Sequence, residues 1–347
     1  MSARLTFGDE VATLGQLFGP VAAFSSLGLA VSGGADSLAL MVLAHRWAAQ
    51  QGRGVRLVVY SVDHGLRPEA AAEVAMVLAC ANAMGLEGRG LVWPAPHPKS
   101  GVQEAARNAR YGLIKSAMKE DGVEVLLTAH HQQDQAETVL MRLAHGSGVA
   151  GLAGMTPFSN VGGVKIFRPL LCVDPADLGE VVSMADLTPA QDPSNEDSHY
   201  ERVRWRKLMP QLAALGLDGN RLGDFAQRMG RAREALEVAA ESALGSLVTS
   251  RTSEEAVIVR EGFTQLPQSV AVLMLSTLLA EMGTGKKSRA LGTVEALYQV
   301  LVSEQEFSGR TLHGCMVRRR ADSIIVRTET GRRGKLLSHL AVEPNKS

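Results

Sequence analysis

Three short apolar runs, Leu27–Val31, Val55–Val62 and Val123–Ala129, each end in a polar cluster and are each followed by an apolar pattern of helical period. Strand, polar turn and helix repeated at this spacing predict an α/β fold, a doubly wound, mostly parallel sheet. The second run, VRLVVYSV, is continuously apolar, as a strand covered on both faces requires. In such a sheet the strands end along one edge. The three clusters therefore converge at the carboxyl edge, where these folds bind ligands.

The first cluster is Ser32-Gly33-Gly34-Ala35-Asp36-Ser37, directly before a helix expected over Leu38–Gln50. Gly33 and Gly34 carry no Cβ, so the backbone there can turn sharply and approach a ligand closely. The first turn of the following helix leaves N–H groups unpaired at the positive end of its dipole, a corner that attracts phosphate. Asp36 and Ser37 either cap this helix or hold a metal-bound polyphosphate. The loop is too short for a Walker A motif, has no Lys at the required place, and is not G-x-G-x-x-G.

The second cluster is Asp63-His64-Gly65-Leu66-Arg67-Pro68, ahead of an alanine-rich helix over Glu69–Met84. A third strand at Gly90–Trp93 and a helix over Val102–Met118, with Glu104, Arg107, Arg110 and Tyr111, come next. The last cluster, His130-His131-Gln132-Gln133-Asp134-Gln135-Ala136-Glu137-Thr138, opens a helix to about His145. His130 and Asp134 stand four apart, a spacing able to hold a divalent cation once the helix has begun. Magnesium takes one or two carboxylates beside substrate phosphates, which Asp36 and Asp134 can supply. The zinc pattern H-E-x-x-H is absent. Asp134 and Glu137 also suit a helix N-terminus without any ligand.

The 347 residues allow two domains with proper cores. Aromatics make up 4%, too few for a binding surface of stacked rings. Lys+Arg and Asp+Glu are 36 each, which argues against a generally basic nucleic-acid binder and leaves room for a local basic face. Cys80, Cys172 and Cys315 are isolated, with no C-x-x-C to suggest a disulfide framework, zinc ribbon or iron–sulfur site. No basic leader and no membrane-length apolar run is seen, so a cytoplasmic protein without a membrane partner is expected.

Beyond a glycine-rich passage at Gly146–Gly163, a strand over Val164–Leu171 ends in Arg168-Pro169, and a helix covers Pro175–Met184. Asp192–Asp197 has turn composition, and Arg202, Arg204, Arg206 and Lys207 then stand against one Glu201. Arg202 and Arg206 share a helix face; Arg204 points away. A long amphipathic helix is expected over Arg221–Leu244. A small α+β unit should follow, with a strand at Ala256–Arg260, helices at Ser269–Glu281 and Thr293–Val302, and a hairpin of Cys315–Arg320 with Ser323–Arg327. Gly283–Ser288 reads as a loop. The expected organisation is a domain over 1–215, a helical linker over 216–245, a small α+β domain over 246–330 and a disordered tail over 331–347.

The loop Ser32–Ser37, SGG-x-DS, resembles the pyrophosphate loop of the N-type ATP pyrophosphatases, enzymes that split ATP into AMP and pyrophosphate. The blocks SGGADSLAL, VDHGLR, EAARNARY, HHQQDQAET, the GSG and GLAGM segment, RPLL and DPSN occur between Ser32 and Asn195 in the order seen in the tRNA(Ile)-lysidine synthetase family. The resemblance implies an adenine nucleotide alpha hydrolase-like PP-loop domain, with the small α+β unit binding tRNA. It implies ATP and Mg2+, free L-lysine, and tRNA(Ile) with a CAU anticodon as partners. In that reaction the wobble cytidine is adenylated at O2, and the side-chain amine of lysine then displaces AMP from carbon 2. Codon reading changes from AUG to AUA.

On the same resemblance, Ser32, Gly33, Gly34, Ala35, Asp36 and Ser37 take the pyrophosphate, the backbone near Ala30, Val31 and Val62 seats the adenine, and His130 lies beside the nucleotide. Asp36 and Asp134 manage the metal and the lysine ammonium. Arg107, His64 and Arg67 neutralise charge at the α-phosphate, and Asp134, Glu137, Arg67, Arg202 and Arg206 face lysine or tRNA. Val203 stands where the family usually has Asn. Arg318–Arg320 is a second RNA candidate or a solvated hairpin edge, and a homodimer is among the assemblies the sequence allows. The rivals are a tRNA-thiolating relative, which the isolated cysteines do not favour; an amide-forming relative sharing only the loop; and a non-catalytic nucleotide- or RNA-binding module.

Overall fold

The computed structural model describes residues 10–52, 54–98, 100–190, 199–283 and 291–329. Two compact units divide at Gly230/Arg231. In the first, a six-stranded sheet runs in the order β3-β2-β1-β4-β6-β5, with β1 Ser26–Ala30, β2 Arg56–Asp63, β3 Glu87–Val92, β4 Val125–Leu127, β5 Phe158–Val161 and β6 Val164–Phe167. All neighbours pair in parallel except β5, which returns antiparallel on β6.

The two sheet faces follow from strict alternation along the strands. Leu27, Leu29, Leu57, Val59, Val125 and Leu127 point to one face. There they pack with α1 (Glu10–Phe18), α2 (Ala35–Gln50) and α7 (Pro175–Met184). Val58, Tyr60, Leu126, Val164 and Ile166 point to the other, under Tyr111, Ile114 and Met118 of α4 (Val102–Asp121). Position 28 faces this second side, and it is glycine because a Cβ there would meet the Tyr60 ring at 2.8 Å. Asp174 starts α7 by accepting the Ala176 N–H at 2.9 Å ahead of Pro175.

A smaller cluster joins α5 (Gln132–Ala144), α8 (Glu201–Ala214) and the first turns of α9 (Gly219–Leu247) through Ala136, Val139, Leu140, Met209, Leu222 and Ala226. α3 (Ala70–Ala83) lies between β2 and β3.

The second unit is an antiparallel sheet in the order β7-β8-β11-β10-β9, formed by Val248–Arg251, Glu255–Val259, Ser323–Thr328, Cys315–Arg319 and Arg310–Leu312 respectively. Its core gathers Ala256, Ile258, Val317, Ile324 and Val326 with α10 (Arg260–Gln265), α11 (Gln268–Met282) and α12 (Leu291–Val302). No helix among the described residues is long and apolar enough to cross a membrane.

The expected strands and long helices form within a few residues of their sequence positions. Two corrections concern short polar elements. The passage 146–163 contains α6 (Val149–Leu152) and β5, and the small unit has five strands, with β7 and β9 at its edges. β7 is Val-Thr-Ser-Arg and β9 only Arg-Thr-Leu, neither carrying an apolar alternation that could announce it. The expectations for 192–197, 284–288 and 331–347 lie outside the described residues.

Candidate active site

From β1 the chain moves outward to β2 and β3, then returns through α4 to β4 on the other side of β1. The β1/β4 junction is therefore the topological switch point, where open α/β sheets leave a crevice beyond their carboxyl ends. The first and third polar clusters leave these two adjacent strands.

In the loop after β1, Gly33 has φ +93°, a backbone conformation that favours glycine, and its carbonyl accepts the Ala190 N–H at 3.0 Å. A Cβ at Gly33 would lie 3.2 Å from Met76 Cε and 3.4 Å from Val77 Cγ2. Gly34 is the N-cap of α2, and no side chain caps this helix. Ser37 folds back instead: its hydroxyl donates to the Gly34 carbonyl at 2.9 Å, accepts the Ser32 N–H at 3.2 Å and lies 3.3 Å from Ser32 Oγ. The loop is thus braced from within, and the positive end of α2 is left open to an anion.

α5 begins at Gln132, so His130 precedes the helix and the expected His130–Asp134 helical pair does not form. His131 is the N-cap. Its Nδ1 accepts the Asp134 N–H at 3.4 Å while Asp134 Oδ2 accepts the His131 N–H at 3.2 Å, a reciprocal capping box. Its Nε2 faces Asp36 Oδ2 at 3.4 Å and Asp134 Oδ2 at 3.5 Å. The imidazole is buried, which alone would lower its pKa; the hydrogen bond to Asp36 and the charges of Asp134, Asp36 and Glu137 together outweigh burial and raise it. His131, given no role of its own in the sequence reading, is the residue that joins the two clusters. Its sequence signal is its place three residues before Asp134.

His130 Nδ1 lies 2.9 Å from Thr128 Oγ1. Burial pushes its pKa down to about 4, against the pull of Asp134 and with help from Arg168, Arg202 and Arg110. It is neutral at physiological pH. His64 is lowered as well, by burial and then by Arg110. Arg67 Nη2 pairs with Glu73 at 3.1 Å. Arg107 stays exposed, with its guanidinium 5.5 Å from the Tyr111 ring centroid. Ala30 and Val62 are half-buried at the strand ends, and the Val31 N–H bonds the Tyr60 carbonyl at 3.0 Å.

Glu137 is fully buried and held by two guanidiniums. Arg206 Nε lies 2.8 Å from Oε1 and Arg202 Nε 3.2 Å from Oε2, and Arg202 also donates to Thr138 Oγ1 at 3.0 Å. Glu137 thus touches Arg202 and Arg206 rather than open space, and both arginines fasten α8 to α5 while remaining part-exposed. Arg204, on the opposite side, donates to the His199 carbonyl, and Val203 is buried. In the second unit Arg319 donates to the carbonyls of Val300, Ser303 and Gln305, leaving Arg318 and Arg320 exposed.

Among the described residues no group of three or more His, Cys, Asp or Glu is arranged to hold a metal unaided. Asp36, with 44% of its side chain exposed, and Asp134 meet around one imidazole. Two carboxylates beside an open phosphate corner fit magnesium, which completes its shell with phosphate and water oxygens.

Residues 9–212 match the PP-loop domain family. The chain is 40% identical over 337 residues to the tRNA(Ile)-lysidine synthase of Bradyrhizobium sp. strain BTAi1, covering 92% of this chain and 94% of that protein. It is 41% identical to the tRNA(Ile)-lysidine synthase of Rhodopseudomonas palustris, covering 92% and 95%. Among solved structures, the U34-tRNA thiolase NcsA from Methanococcus maripaludis shares the fold at a TM-score of 0.55, with 16% identity over 65% of this chain and 79% of that one.

Proposed function

The chain belongs to the tRNA(Ile)-lysidine synthase family, and we propose that it is an ATP-using ligase that joins free L-lysine to the wobble cytidine of a CAU-anticodon tRNA(Ile) in the cytoplasm. The observation that carries the reading is the meeting of Asp36 and Asp134 at His131 Nε2, beside a helix N-terminus with no side-chain cap. The corner at Ser32–Ser37 receives the pyrophosphate of ATP through backbone N–H groups and the α2 dipole, both preorganised for the charge that develops on the leaving group. The ends of β1 and β2 at Ala30, Val31 and Val62 border the adenine.

In the first step O2 of the extruded cytidine attacks the α-phosphorus, the P–O bond to the pyrophosphate breaks, and an adenylated base results. In the second, the lysine side-chain amine attacks carbon 2, the bond to the AMP oxygen breaks, and AMP leaves with the electron pair. Asp36 and Asp134 would hold Mg2+, which would neutralise phosphate charge when bound. The lysine ammonium must lose a proton before it attacks, and Asp134 would attract the ammonium and take up that proton. His131 holds Asp36 and Asp134 in register. Glu137 sets Arg202 and Arg206 on the α5 side of the crevice.

The test is incorporation of labelled lysine into unmodified CAU-anticodon isoleucine tRNA with ATP and Mg2+, beside a methionine tRNA control. Label in the isoleucine tRNA alone, with AMP and pyrophosphate released, is expected. Pyrophosphate released with another acceptor would discard lysine, and ATP binding without pyrophosphate release would favour a binding module.

A further inference from the structure

Among the described residues, three guanidiniums near the carboxyl edge have no carboxylate partner. Arg107 and Arg110 both lie over the Tyr111 ring, 5.5 and 5.1 Å from its centroid, and Arg110 Nη2 reaches the Tyr111 hydroxyl at 3.5 Å. Tyr111, on α4, is buried, so one fixed ring orients both. Arg168, the residue after β6, is 6% exposed. Its Nη1 donates to the Thr156 carbonyl at 2.8 Å and Ser159 Oγ at 2.9 Å, while its buried Nε has no partner. Among the described residues none of the three forms an ion pair. Burial, and then the charges of Arg107 and Arg142, push the Arg168 pKa below the usual arginine value, although Tyr111 opposes them. The Arg110 charge lowers both His64 and His130, which places it in the same electrostatic field as the site.

A buried guanidinium without a carboxylate is unfavourable in the free protein and becomes favourable when an anion arrives. The pyrophosphate already has its corner after β1. β6 lies two strands from β1, across β4, or roughly 10 Å at ordinary strand spacing. In-line displacement at phosphorus requires the attacking oxygen to approach opposite the leaving group. With the pyrophosphate in the loop after β1, a nucleotide entering from the β6 side would approach opposite the leaving group, and its sugar–phosphate strand would pass the arginines.

We infer that Arg110 and Arg168, with Arg107, form a phosphate clamp for the RNA strand carrying the target nucleotide, separate from the loop that takes pyrophosphate. This deepens the proposed function and rests on it. Arg110 and Arg168 position the strand, and Arg107 shares the Tyr111 ring with Arg110.

The experiment measures binding of an unmodified CAU-anticodon tRNA to the full chain at several salt concentrations, with ATP-Mg affinity measured separately. Arg110→Gln should weaken tRNA binding severalfold, lower the slope of log K against log salt by about 0.7–0.9, and leave ATP affinity within about twofold. Arg168→Lys, which keeps the charge and loses the planar fork, should weaken tRNA binding with little change of slope. Circular dichroism checks that both variants fold, and Arg110, part-exposed, keeps the test alive if Arg168→Lys does not. An unchanged affinity and slope for Arg110→Gln, or a fall in ATP affinity with tRNA binding intact, would overturn the clamp. Lysidine formation by the unaltered protein with normal Arg110→Gln binding would remove the clamp alone. Failure of the unaltered protein to bind this tRNA would remove both readings.

Discussion

His130→Asn gives a direct reading of the electrostatics behind β4. The wild-type imidazole is buried, bonded to Thr128 Oγ1 at 2.9 Å, and titrates at about 4 instead of 6.5. Between those values the unfolded chain binds a proton that the folded chain refuses. Stability from this residue is therefore fully present above pH 6.5 and is lost as pH falls toward 4. At pH 5 the two protonation equilibria differ by a factor of about 30, or roughly 2 kcal/mol. An Asn amide can keep the bond to Thr128 and cannot titrate. Urea unfolding at pH 7.5 and 5.0 should show the wild type losing about 2 kcal/mol more than His130→Asn across that interval. Equal losses in the two proteins would refute the buried, neutral imidazole.

Other consequences follow from single contacts. Gly33→Ala must hold a side chain at φ +93° against Met76 and Val77, so it should lose about 1–3 kcal/mol in thermal unfolding and weaken ATP binding. Glu137→Gln removes the buried charge between Arg202 and Arg206, which are part-exposed and can rehydrate. A loss of about 1–3 kcal/mol in urea unfolding is expected, and wild-type stability would show that the arginines do not depend on Glu137. Arg319→Ala strips donors from the carbonyls of Val300, Ser303 and Gln305. It should lower stability by about 1–3 kcal/mol, whereas Arg318→Ala, exposed on the same strand, should change it by less than about 0.5 kcal/mol.

The sheet was legible because its strands are apolar runs broken by glycine and polar turns, and because three clusters at strand ends imply one edge. The loop at Ser32–Ser37 was legible for the same reason. The partnerships within the edge were not. His131 and His130 are identical in sequence terms, and only the onset of α5 at Gln132 decides which ring turns toward Asp36. Arg67 and Glu137 have charges suited to substrate, yet Glu73, six residues on, pairs with Arg67, and Arg202 and Arg206 take up Glu137 from another helix. Charge at one position does not reveal its neighbour 69 residues away. β7 and β9 escaped because edge strands this short and polar carry no periodicity.

The claim on which the account turns is that Asp36 and Asp134, held at His131, govern ATP cleavage at the switch point. Single-turnover pyrophosphate release from ATP-Mg in the presence of CAU-anticodon tRNA tests it most directly, with Asp36→Asn compared against the wild type. Folded Asp36→Asn should release pyrophosphate at least ~100-fold more slowly. Release at a near-normal rate would contradict the assignment.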